Sequence, residues 1–517
     1  MHANECFVDF ILKRANPDDA KEAMTFQDEA WSYGRLKQEI DALKTVLVNN
    51  EVQPGDRVII RMDAEPIAIA MSLAIMSYGA IYVPIATDIP NVRFLSIIDA
   101  VAPSLIVCAR DAAEDYGAEE CIELDTIKLH RMAGSPPTDT SHNQDDKDAY
   151  IIMTSGTTGV PKGITMTHSA AIAAIKGYHE MSIDADNRVG SISPLHFDFC
   201  IFDMAITFYF GATLVLVPKI LAHYAKGFIK YLNEHSITRM HSIPSVWRPV
   251  LDSSDANILN SLTTLKSVLY AAESFPVKDL LTLQSKLPNA EFVQSFGHTE
   301  SMGCCFKKLS NPICAHKGCV SIGKPLLNTE MFVINDQGDL AQAEEVGELY
   351  IKGPHLFRGY WCNPEQTNRS LVADPRGDEG ITFKSGDLVF QDANDDFYFV
   401  GRCDHQVKIG GNRIELPEID RVINEISDVS AATTIVNDNE GRKTIECFIV
   451  NKSSLDWREF VLMVRKNVSQ LLPRYMMPTD FYAAHSLPLL SNGKVDRSVL
   501  KDVNKRKEYL VNKGVSI

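Results

Sequence analysis

The chain has 517 residues, of which 45% are hydrophobic and 23% charged, with a formal charge of -16. That length is more than one compact core normally serves, so at least two domains are expected from a composition that is otherwise ordinary for a globular protein. The acidic balance excludes nucleic acid or an anionic membrane as a main partner.

The N-terminus, MHANECFVDFILKRA, carries Glu5 and Asp9 and has no long apolar core, so it does not read as a secretory signal. WSYGRLKQEIDALKTVLV reads as an amphipathic helix and RVIIRM as a strand. The most apolar run, Pro66 to Ala86, is about long enough to span a bilayer. Ser72, Ser77, Gly79 and Pro84 interrupt it, which predicts a buried helix turning at Gly79 into the strand AIYVPIA. SLIVCA, TLVLVP and SVLYAA read as further strands separated by helical stretches, and this βα alternation implies parallel sheets covered by helices. The polar segment 134–147 reads as an exposed loop. Eleven cysteines include no CxxC pair, so reduced thiols in a soluble, cytoplasmic protein without membrane insertion are expected.

Between the strand end IIM (Ile151 to Met153) and a helix starting near His168 lies TSGTTGVPKG, Thr154 to Gly163. Backbone N–H groups and hydroxyls of such a loop can cradle an anion, with Lys162 adding a full positive charge. Gly/Ser/Thr clusters are also ordinary loops. The string is not a kinase-type P-loop, because Pro161 precedes the lysine and Gly163 follows it. Near residue 400 the texture changes. FYFVGRCDHQVKIGGNRIELPEID is strand-rich and charged, ATTIVND and TIECFIVN read as strands, and WREFVLMVRKNV reads as a helix. After Arg497 only a charged tail is expected.

TSGTTGVPKG resembles the phosphate loop of the adenylate-forming enzymes, which include acyl-CoA synthetases, luciferases and nonribosomal peptide synthetase adenylation domains. Further motifs of that family follow in order to about residue 500. The resemblance implies an α/β fold, with a large N-terminal domain of βα-layered sheets (1–403) and a small mobile C-terminal α/β domain (404–517). It implies ATP and Mg²⁺ as cofactors. Thr154, Ser155, Gly156, Thr157, Thr158, Gly159 and Lys162 would cradle phosphates, with Ala272 and Glu273 also against the nucleotide. In SFGHTE, Phe296 would stack on adenine and Gly297 would let the backbone approach. Thr299 would touch the α-phosphate and Glu300 would hold Mg²⁺. His298 departs from the family's usual proline. Asp387 and Arg402 would contact the ribose, and Asp404 would be the hinge of the small domain. Gly410 replaces a usual arginine, which suggests a looser loop. GELYIKG and GYWCNPEQT read as structural. Lys494 in SNGKVDR would stabilise charge during adenylation, and Lys408 would face inward for thioester formation.

In SISPLHFDFCIFDM, Asp198 matches the aspartate with which amino-acid-activating members bind the substrate ammonium. A helix N-cap is its bland alternative, and Asp203 is the competing carboxylate. The remaining pocket positions are Phe199, Phe202, His241, Leu269, Ala271, Ser295, Gly303 and Cys304. Two phenylalanines and a histidine leave little room, whereas Ala271 and Gly303 open space. The expected activity is adenylation of a small amino acid, glycine first, then transfer to the phosphopantetheine thiol of a separate carrier protein. A resemblance to the glycine–carrier protein ligases of lipid A modification supports glycine. Proline is the main rival, and an acyl-CoA synthetase using free coenzyme A is the alternative enzyme.

Overall fold

A computed structural model describes residues 5–14, 19–112, 116–118, 120–132, 146–154, 161–255, 257–404, 406–439, 441–490 and 495–511. Most of the expected 134–147 loop therefore lies outside the described residues. Chain contacts define two compact units. One is Met1–Thr87, Val101–Met153 and Gly163–Cys403; the other is Asp88–Ala100, Thr154–Lys162 and Asp404–Ile517.

The larger unit holds two sheets. In the first, Arg57–Arg61 pairs in parallel with Ile81–Pro84 and Leu105–Ala109. The apolar run ahead of Ile81 forms the helix Pro66–Tyr78, with proline at its start and Gly79 ending it at φ +92°. Only glycine takes that left-handed cap at no steric cost, so the chain turns there into the strand, as its punctuation predicts. The helix Tyr33–Asn49 buries Leu36, Ile40, Leu43 and Leu47, and Ser32 caps it by accepting from the Arg35 N–H.

The second sheet has Glu29–Ser32 at its edge, antiparallel to the first of six strands in the spatial order Glu22–Phe26, Thr213–Leu216, Arg188–Ser191, Arg239–Ser242, Ser267–Tyr270 and Glu291–Phe296, which are parallel to one another. It then continues as an antiparallel wing: Cys305–Lys308, Ser321–Pro325, Phe397–Arg402, Ile381–Gln391, Gly347–Lys352 and Glu330–Ile334. The link from Phe296 to Cys305 is too short for a crossover helix, so the chain must turn back on itself. Parallel pairing therefore describes only part of this sheet.

In the smaller unit, Gln406–Ile409 and Asn412–Glu415 form a hairpin whose two turn residues, Gly410 and Gly411, have φ of +57° and +75°. Positive φ at both positions is what a tight two-residue hairpin turn requires, so Gly410 tightens this loop rather than loosening it. Val429–Asn439, Arg442–Asn451 and Asp480–Ala483 form a three-stranded sheet, with the helices Leu416–Asn424 and Trp457–Ser469 contributing to its core. The residues after Arg497 are more than a tail. Arg497–Lys501 is a short helix that packs the fully buried Leu500 with Ile435 and Phe448. Arg497 pairs with Asp420, and Arg506 Nη1 lies 2.7 Å from Glu446 Oε2. Among the described residues, no helix is long and apolar enough to cross a membrane.

Leu500→Ala is expected to cost about 2–5 kcal/mol, seen as a lower urea midpoint for the unfolding of this unit. An unchanged midpoint would show that the C-terminal segment is not part of its core.

Candidate active site

His241, Leu269, Ala271 and Ser295 lie at or just beyond the carboxyl ends of neighbouring parallel strands, and Asp198, Phe199 and Phe202 lie on the helix that follows another. Arg188–Ser191 is flanked by Thr213–Leu216 on one side and Arg239–Ser242 on the other, so chain order reverses there. In open α/β sheets, ligands bind outside the strand ends at such a reversal. The loop after Ser191 leads into the helix Asp198–Tyr209. Its N-cap is Phe197, so Asp198 is the first helical residue and not the cap. The carboxylate thus stands at the positive end of the helix dipole. Burial raises the phenol pKa values of Tyr150 and Tyr178, and the Asp198 charge raises them further.

Asp203, one turn further on, is fully buried. Its Oδ1 lies 2.8 Å from His241 Nδ1, and its Oδ2 accepts from Ser191 Oγ at 2.5 Å. Burial pushes its carboxyl pKa up, while His241 and Ser191 oppose the shift. This carboxylate is committed to two strands of the sheet, which removes it as a competitor to Asp198.

The pocket positions gather around a residue that no motif marks. Tyr178, at the C-cap of the helix His168–Gly177, is fully buried. Its ring meets Phe202 edge-on at 4.8 Å, and its hydroxyl is 3.0 Å from Ser295 Oγ. Phe202 stacks with Phe199 at 5.9 Å and with His241 at 6.2 Å. A Cβ on Gly303 would lie 1.9 Å from the Tyr178 hydroxyl oxygen. The space expected from Gly303 is therefore filled by the phenol. Gly297 also has a role other than nucleotide approach, since a Cβ there would come within 2.3 Å of Gly303 Cα. The Cys304 N–H donates to Phe296 O at 2.9 Å across the same close approach. Leu269 is buried and pairs in register with His241. Ala271, Ala272 and Glu273 form the turn after Ser267–Tyr270, with Ala272 at φ +67° and Met302 likewise left-handed at +46°. Such residues cost about 1–3 kcal/mol each and persist only where the surroundings hold them.

A second cluster lies on the antiparallel wing. Asp387 and Arg402 are register partners, with Arg402 Nη1 2.6 Å from Asp387 Oδ1. His298 Nε2 reaches Asp387 Oδ2 at 2.5 Å. Phe296 lies 5.7 Å from Phe399 and edge-on to His298 at 5.5 Å. Thr299 is half-buried, and Glu300 is fully buried. The Tyr360 hydroxyl donates to Glu300 Oε1 at 2.8 Å, so GYWCNPEQT supplies a direct partner to a predicted site residue.

In the smaller unit, Lys162 Nζ is 3.7 Å from Glu415 Oε1, and Thr154 Oγ1 donates to the Lys162 carbonyl at 3.4 Å. Burial raises the Glu415 pKa, and Lys162 and Arg413 counter it. Lys408 pairs in register with Arg413, and the exposed Asp404 accepts from the Gln406 N–H at 3.0 Å. Ser155, Gly156, Thr157, Thr158, Gly159 and Lys494 lie outside the described residues.

A mixed α/β fold brings these residues together, and comparison with known proteins gives the family. Residues 12–361 match the AMP-binding enzyme family, and the chain belongs to it. It is similar to the crystal structure of CmiS6, at 32% identity and TM-score 0.71, covering 78% of this chain and 98% of that one. It is also similar to the crystal structure of IdnL1, at 29% identity and TM-score 0.83, covering 94% and 100%. An L-proline–[L-prolyl-carrier protein] ligase of Pseudomonas fluorescens is 28% identical over 490 residues, 92% of this chain and 95% of that protein. A dimodular nonribosomal peptide synthase of Bacillus subtilis is 28% identical over 505 residues. That match takes in 95% of this chain but only 20% of the synthase. The chain likewise spans less than half the length of the tyrocidine synthases it matches.

Gly303→Ala should destabilise the protein by about 1–3 kcal/mol through overpacking against the Tyr178 hydroxyl. Tyr178→Phe should recover part of that loss in the double variant, measured as coupling in a urea-unfolding cycle. Strict additivity would show that the two residues do not touch.

Proposed function

We propose that this protein activates an amino acid as its aminoacyl-adenylate and passes it to the phosphopantetheine thiol of a separate carrier protein. The observation that carries this reading is the placement of Asp198. A carboxylate stands at the start of the helix that also presents Phe199 and Phe202, beside a buried wall formed by Tyr178, His241 and Ser295. A carboxylate beside buried aromatic side chains suits an ammonium group and has no use for a fatty acyl chain. The family membership and the prolyl-carrier ligase relative support the same chemistry.

In this mechanism Asp198 binds the α-ammonium and orients the substrate carboxylate. That carboxylate attacks the α-phosphorus of ATP, and pyrophosphate leaves. Thr154 to Gly159 and Lys162 hold phosphates, Thr299 contacts the α-phosphate, and Lys494 offsets charge developing between the reacting groups. Ala272, Glu273, Phe296 and Gly297 bound the adenine, and Asp387 and Arg402 the ribose. The smaller domain then turns about Asp404, bringing Lys408 to the site, and the carrier thiol displaces AMP. Among the described residues, no three His, Cys, Asp or Glu side chains gather as a metal site. Glu300 alone fits Mg²⁺ that arrives on nucleotide phosphates, because Mg²⁺ is commonly held by one or two carboxylates with phosphates and water. When bound, the ion would neutralise phosphate charge.

The substrate is small. Tyr178 occupies the room beside Gly303, and Phe199, Phe202 and His241 crowd the rest. Glycine stands first, with alanine and serine next, and glycine supply for lipid A modification is the matching pathway role. The prolyl-carrier ligase relative, similar over nearly its whole length, favours proline as the second reading.

Amino-acid-dependent ATP–pyrophosphate exchange tests this. Glycine should give the fastest exchange, and Asp198→Ala should lower it about 100-fold. Proline winning would overturn the small-pocket argument. Full activity of Asp198→Ala would point instead to an acyl-CoA synthetase. Lys494→Ala should lose about 100-fold or more in adenylate formation, and wild-type exchange by that variant would remove its catalytic assignment.

A further inference from the structure

We infer that His298 is a positioning residue for the nucleotide's ribose: its imidazole clamps the Asp387 carboxylate in the orientation that reads the ribose hydroxyls. This rests on the assignment of Asp387 to the ribose. The two residues are 89 positions apart in the chain, yet Nε2 and Oδ2 meet at 2.5 Å. Their side chains are only 4% and 5% exposed. A carboxylate only accepts, so the ring donates from Nε2. On the other oxygen, Oδ1, Arg402 Nη1 donates at 2.6 Å while also donating to Ser385 O at 3.0 Å. Two donors from separate segments thus hold the carboxylate from both sides. A proline at position 298 could supply neither a ring donor nor an equivalent contact.

The ring also packs on two aromatic side chains. Phe296 and Phe383 meet it edge-on at 5.5 and 5.3 Å. Among the described residues its buried Nδ1 has no hydrogen-bond partner. Burying an imidazole with one nitrogen unsatisfied is costly, and the Asp387 contact is the polar interaction that offsets it. The turn carrying Thr299 and Glu300 does not depend on the ring. It is closed by the backbone, with the Ser301 N–H donating to His298 O at 3.0 Å. The ring can therefore be changed while the turn's own closure remains. One side chain also touches Phe296, the proposed adenine face, and Asp387, the proposed ribose anchor, which couples the two halves of nucleoside recognition.

The test is equilibrium binding of ATP and of 2′-deoxy-ATP to the full chain. The variants are His298→Leu, which fills space without a donor, His298→Gln, which restores one, and Asp387→Asn as reference. Wild type should prefer ATP, and Asp387→Asn should lose the preference. His298→Leu should reduce the ratio of the two Kd values by up to about tenfold, and His298→Gln should recover part of it. If His298→Leu does not fold, His298→Phe makes the same measurement with a planar ring. Retention of the wild-type ratio by the donor-free variants, with loss in Asp387→Asn, would overturn the inference. Retention by Asp387→Asn would overturn the ribose assignment itself, and the inference with it.

Discussion

The pocket depends on one buried carboxylate. Asp203 ties the helix Asp198–Tyr209 to the strands Arg188–Ser191 and Arg239–Ser242 through Ser191 and His241. Together with the packing of Phe202 on Tyr178, that pin sets the rotation of the helix, and its rotation decides where Asp198, Phe199 and Phe202 point. An Asp this deeply buried is tolerable because both oxygens are hydrogen-bonded. Taking away one partner would leave a buried polar group uncompensated, at a cost of about 1–3 kcal/mol or more. The same constraint separates two aspartates five residues apart: Asp203 is consumed by the fold, and Asp198 is the one proposed to meet the substrate.

Close backbone approach is the second organising feature. Gly297 and Gly303 pack against each other, and Tyr178 closes over Gly303. Ala272 and Met302 hold left-handed backbone on the loops that follow two adjacent strands. Local strain and glycine contacts concentrate at the strand ends, next to Ser295 and Phe296 and on the link that carries Cys304. Rigid support of this kind is what a site needs to hold reacting groups in register.

Local elements were legible in the sequence wherever the signal was local. The run from Pro66 to Ala86 announced its helix, turn and strand because proline and glycine punctuate it. The parallel strands of the core were legible as short apolar runs between helical patterns. The antiparallel wing was not, because ladder pairing is set by distant partners and by how short the links are. Leu500 was hidden because a single apolar residue amid charges gives no periodicity. In the site, motif order nominated the candidate positions, but their spatial relations were invisible. Tyr178 belongs to no motif, and His298 and Asp387 meet across 89 residues. Gly303 promised space only because its neighbour in the fold could not be read from its neighbours in the chain.

The central claim is that this chain cleaves ATP between its α- and β-phosphates to activate an amino acid. A single-turnover reaction with α-phosphate-labelled ATP and a mixture of amino acids tests it most directly. The account predicts label in aminoacyl-adenylate and AMP, with unlabelled pyrophosphate released. Label appearing in ADP would show transfer of the terminal phosphoryl group and would contradict the account.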